Sequence, residues 1–79
     1  MAHSKMLVHF MQDHDYTGVN YTSNNLLTLR GENKREEVIP FEEDISSKFI
    51  GLSRQDQIPL YKRMEIFVDD NGIRTAKLN

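Results

Sequence analysis

No cysteine occurs anywhere in these 79 residues, so neither a disulfide framework nor a thiolate zinc site is available to brace the fold. A chain of this length removes only about 60% of its unfolded surface from water, which leaves room for one thin core. Folding therefore rests on apolar packing or on a partner that completes it, and a homodimer fits that need. A chain without thiols also suits a reducing compartment, and the expectation is a cytoplasmic protein.

The longest apolar stretches are far shorter than the roughly 18 residues of a membrane span, and the N-terminal Met1-Ala2-His3-Ser4-Lys5 leads into nothing that reads as a signal peptide. No membrane association is expected. A formal net charge of −2 speaks against a general nucleic-acid binder, which is usually basic. The charge is nevertheless segregated. Glu36, Glu37, Glu42, Glu43 and Asp44 crowd between residues 36 and 44 with no base among them. On one side stand Arg30, Lys34 and Arg35, and on the other Lys48, Arg54, Lys62 and Arg63.

Neither an internal repeat nor a Gly/Ser or Pro-rich linker interrupts the chain, which reads as a single domain over residues 1–79. Lys5 to Met11 carries apolar bulk on both alternating faces and predicts a central strand. Polar clusters at Gln12–Gly18 and Ser23–Asn25 predict turns around a short strand, Val19 to Thr22. Leu26–Arg30, the loop Gly31–Arg35 and Glu36–Phe41 read as strand, loop and strand. Pro40 cannot donate to a ladder and places the second of these at an edge or at its own end.

The period then changes. Ile45, Phe49 and Leu52 fall on one helical stripe, acids precede them and Gly51 follows, which predicts a two-turn helix over 43–50. Ser53-Arg54-Gln55-Asp56 resembles a capping box, but Pro59 lies too deep inside any helix begun there, so a turn and an extended chain are expected. Leu60 to Val68, Asp69-Asp70-Asn71-Gly72 and Ile73 to Leu78 predict a terminal hairpin pairing Val68 with Ile73 and Ile66 with Thr75. The sum is an α+β fold: a small, mostly antiparallel sheet of four or five strands, one short helix and a C-terminal β-hairpin.

Catalytic signatures are missing. Asp13-His14-Asp15 packs two carboxylates around an imidazole, but adjacent residues rarely aim at one ion, and a full site needs ligands such as His3 or His9 from elsewhere. Asp69-Asp70-Asn71-Gly72 lacks the alternating oxygen ligands and the closing Glu of a calcium loop. The chain holds no G-x-S-x-G, P-loop or H-E-x-x-H pattern, so neither an enzyme nor a cofactor is expected. A small hydrolase or metal enzyme on His9 and His14 is the weakest of three readings.

The leading expectation is a small interaction protein, an inhibitor or regulator of the kind phages encode. It would present Glu36, Glu37, Glu42, Glu43 and Asp44 to a larger basic protein or ribonucleoprotein of a nucleic-acid-handling assembly. The alternative is a single-stranded RNA or DNA binder. In that reading Tyr61, Arg63 and Phe67 share a strand face beside Lys62, with Arg54 just upstream, as in sheets on which bases stack.

Overall fold

Two hairpin turns of the same geometry organise the chain. In the computed structural model, which describes residues 2–79, Asn25 N–H donates to Thr22 O and Gly72 N–H donates to Asp69 O, both at 3.0 Å. Asn25 and Gly72 each adopt a positive φ, 61° and 80°. This is the three-residue hairpin loop that closes on a left-handed residue, a position glycine takes freely and asparagine tolerates. The first turn joins β2 (Gly18–Thr22) to β3 (Leu26–Arg30), and the second joins β5 (Met64–Val68) to β6 (Arg74–Leu78).

The extra left-handed residue corrects the expected terminal register by one position. Val68 faces Arg74 and Ile66 faces Ala76, whereas the sequence predicts Ile73 and Thr75 as their partners. Asp69 N–H pairs instead with Ile73 O. The observed register sets Ile66 and Ala76 together, both fully buried.

The strands form two antiparallel sheets of three rather than one of four or five. One has the order β2-β3-β4, with β4 spanning Glu37–Pro40; the other has the order β1-β5-β6, with β1 spanning His3–Met6. Beyond Pro40 the chain crosses between them: Phe41 makes a single parallel bridge to Ala76, and Glu42 N–H donates to Ala76 O. Pro40 thus ends an edge strand, as its missing donor requires. Leu27, Leu29 and Ile39 from the first sheet and Met64, Ile66 and Ala76 from the second enclose one core.

Three predicted elements differ. Lys5–Met11 is not a central strand: β1 ends at Met6 on the edge of its sheet, and α1 (Leu7–Asp13) follows. Leu7 and Phe10, one helical turn apart, are buried, while Val8 and His9 point out. The two-turn helix over 43–50 contracts to one 3-10 turn at Ser46–Lys48. Its cause is the Asn25 side chain, whose Oδ1 accepts from Ile45 N–H and whose Nδ2 donates to Glu43 O. The Glu43 carbonyl is one that a helix begun there would give to the amide four residues on, and Asn25 takes it, while its bond to the Ile45 amide fixes the chain at that point. Ile45 and Phe49 are buried even so.

The third difference is α2 (Arg54–Tyr61), a helix where an extended chain is predicted. Ser53 caps it by accepting from Asp56 N–H at 3.2 Å. Pro59 sits inside, and the carbonyl it leaves without a helical donor belongs to the exposed Gln55, at the solvent side of the helix. The terminal strand consequently begins at Met64, not Leu60.

Candidate interaction surface

Three aromatic side chains from separate elements support one surface. Tyr21 of β2 stacks on Phe49, which follows the 3-10 turn, with ring centroids 4.2 Å apart, and Phe49 meets Tyr61 of α2 at 5.8 Å. Tyr61 OH accepts from Tyr21 N–H at 3.0 Å and donates to Gln57 Oε1 at 3.1 Å. A backbone donor of the outer strand β2 is thereby satisfied by the helix beside it, which is one way proteins cover a sheet edge. Burial pushes the Tyr61 phenol above its usual range, so it stays protonated and able to donate. Tyr21 OH in turn donates to Asn25 Oδ1 at 2.8 Å, the oxygen that holds Ile45.

On this fixed base two large apolar side chains face outward: Ile50 is 78% exposed and Ile58 50%. Gln57 lies between two shallow hollows. One, of about 390 Å³, runs between α2 and β2 and is lined by Val19, Ile58 and Tyr61 among others. The second, of about 270 Å³, is lined by Tyr21, Ser46, Phe49 and Ile50. Asp44 stands beside Ser46 at its margin and accepts from Ser46 N–H at 2.9 Å; the Ser46 hydroxyl first, and this backbone bond second, hold its carboxyl below the usual range. The arrangement sets exposed Ile50 and Ile58 on either side of Gln57, with Arg54 lining the first hollow and Asp44 next to the second.

The five acids predicted to form one surface separate into two groups. Glu36, Glu42, Glu43 and Asp44 are exposed. Glu37 turns inward, because it shares the core-facing side of β4 with Ile39, which sits opposite Leu27. There its carboxylate accepts from Tyr16 OH and from Arg74 Nη1, each at 2.6 Å. Burial pushes the Glu37 carboxyl up, but the bonds from Tyr16 and Arg74 and the Arg74 charge outweigh it and hold the group below its ordinary range. Glu42 borders a different hollow, with Phe67, Thr75 and Lys77 on the outer face of β5 and β6.

The expected basic and aromatic strand face does not assemble. Tyr61 ends α2 against Phe49, Lys62 is exposed at the helix C-cap, and the Arg63 guanidinium bonds to Asn79 O. Phe67 alone of the group lies on β5. Lys34 lies over the Tyr16 ring, 4.1 Å from its centroid. Among the acid and imidazole groups near the N-terminus, Asp13 pairs with Lys5 and His14 lies against Phe10 at 4.3 Å. Among the described residues no group of three or more His, Cys, Asp or Glu is placed to hold a metal, and no helix is long and apolar enough to cross a membrane.

Ile50 and Ile58 were not singled out by sequence. Ile50 follows Phe49 and falls off the 45, 49, 52 stripe, so its exposure was implied there; Ile58 carried no signal while its segment read as extended. Comparison with protein-family models, with curated proteins and with solved structures finds no match to this chain.

Proposed function

We propose that this chain is a small, non-enzymatic protein–protein interaction module that engages its partner through the surface around Ile50 and Ile58. The observation that carries the reading is Ile50, 78% exposed beside buried Phe49. Covering such a side chain is worth about 1.5 to 3 kcal/mol, and fixed aromatic support means little ordering is needed when a partner does so. Exposed Asp44, close enough to bear on Tyr21, and exposed Glu43 before it in the chain favour a basic partner, such as a larger nucleic-acid-handling protein or a ribonucleoprotein, and speed encounter with it. The module acts there as an inhibitor or regulator by occupying that surface.

A photo-crosslinking side chain placed at position 50, and separately at position 38 on the outer face of β4, tests this. Crosslinks to one partner from position 50 only, lost on Ile58→Ser, are expected, together with slower association at low salt when Glu43→Gln and Asp44→Asn are combined. Crosslinks from position 38 alone, or capture indifferent to Ile50→Ser with Ile58→Ser, would refute it.

A further inference from the structure

The hairpin tip between β5 and β6 holds Asn71-Gly72, the one place in the chain where an asparagine precedes a glycine. Residues 69–73 are all exposed, so water and base reach the turn. We propose that Asn71 is a deamidation site whose rate is set by the Asp69 side chain. Deprotonated by solvent base, the Gly72 backbone nitrogen attacks Asn71 Cγ, and the new C–N bond closes a five-membered succinimide. The bond from Cγ to Nδ2 breaks, and the nitrogen leaves as ammonia with a proton from solvent. Water then adds to either ring carbonyl, giving aspartate or isoaspartate. Glycine favours the attack because no Cβ shields its nitrogen.

The folded turn opposes that attack. Gly72 N–H is engaged by Asp69 O at 3.0 Å, and the Asp69 carboxylate accepts from both Asn71 N–H at 2.8 Å and Ile73 N–H at 2.9 Å. Ring closure requires Gly72 N to leave its acceptor and swing onto the Asn71 side chain, so the reaction waits on opening of the turn. Asp69 is the latch on that opening. The product matters to the fold: isoaspartate inserts a methylene into the main chain of a turn that fixes Val68 opposite Arg74 and Ile66 opposite Ala76. Either product also adds a carboxylate beside Asp69 and Asp70.

The test incubates the folded protein at mildly alkaline pH and follows each asparagine-containing peptide by mass and by isoaspartate content, alongside protein held in denaturant. The expected result is modification at Asn71 ahead of Asn20, Asn24, Asn25 and Asn33, slower when folded than in denaturant. Asp69→Ala, checked as folded by circular dichroism, should react about tenfold faster, the factor expected when charge-assisted bonds to backbone donors are lost. Should that variant not fold, Asp69→Asn, which keeps an acceptor oxygen, should react near the wild-type rate, and the wild-type Gly72 amide should be protected from hydrogen exchange. The proposal is overturned if Asn71 reacts no faster than the other asparagines, if a folded Asp69→Ala matches wild type, or if the Gly72 amide exchanges freely.

Discussion

Removing the Glu37 carboxylate perturbs a charged group that ties three separate elements together. It receives Tyr16 from the turn after α1 and Arg74 from β6, and it belongs to β4 itself. The Glu37 side chain is 18% exposed and that of Arg74 33%, so the pair is neither a solvated surface bridge nor a fully desolvated one. A surface pair contributes about 0 to 1 kcal/mol, whereas hydrogen bonds to a charged group in partial burial contribute about 1.5 to 3. Discounting for solvent on the Arg74 side, Glu37→Ala should cost about 2 kcal/mol, since it also leaves Tyr16 OH without its acceptor. In a domain of this size that lowers the Tm by about 10 °C.

The dependence on pH has a definite sign. Because the folded carboxyl titrates below its ordinary range, its contribution is complete above the unfolded value and is lost as pH falls through the folded one. The excess stability of wild type over Glu37→Gln should therefore shrink as pH is lowered through the acid range. Thermal melts of wild type, Glu37→Gln, Arg74→Met and the double variant at neutral and acidic pH measure both effects. Additive losses in the double variant, or a difference between wild type and Glu37→Gln that does not change with pH, would show that the contact does not couple the sheets.

Asn25→Ala should cost about 3 kcal/mol in urea denaturation, combining strain at positive φ with loss of the bonds to Ile45, Glu43 and Tyr21, while Asn25→Gly should relieve the strain alone; equal losses would refute this division. Phe49→Ala should cost about 3 kcal/mol or more by opening a cavity between Tyr21 and Tyr61, and an unchanged midpoint would contradict its burial. Pro59→Ala should raise stability by about 1 kcal/mol, because restoring a helical donor to Gln55 O outweighs the freedom gained by the unfolded chain, and a loss of stability would argue against α2.

Where local chemistry decides, the chain was legible. The strands β2, β3 and β4 and the turns between them follow from Ser23-Asn24-Asn25, from the apolar run Leu26 to Leu29 and from Pro40. Gly72 marks the second turn correctly, though its geometry, with one more residue in the loop than pairing Val68 to Ile73 allows, shifts the register. The failures arise where two periods coexist or a distant side chain intervenes. Leu7, Phe10 and Met11 fit a helix stripe as well as they fit two strand faces, and nothing local separates these readings. The segment 43–50 has every local mark of a helix, and it is Asn25, some twenty residues earlier, that takes the Glu43 carbonyl its first turn would use.

The acidic cluster failed for a reason that the alternation of β4 already contained. Ile39 is core, so its neighbour two positions back must face the core as well, and that neighbour is Glu37. A carboxylate so placed needs a cation and donors, and Arg74 and Tyr16 supply them from opposite ends of the sequence. Counting charges along a chain treats every acid as surface. Counting faces removes Glu37 from the surface and leaves Glu36 on the far side of it from Glu43 and Asp44 in sequence. On the proposed function, the negative charge left beside Ile50 is smaller than composition implies, and it would steer a basic partner without binding one alone. Ile50 and Ile58 would then supply most of the affinity, and on that reading their loss is expected to damage binding more than neutralising the acids.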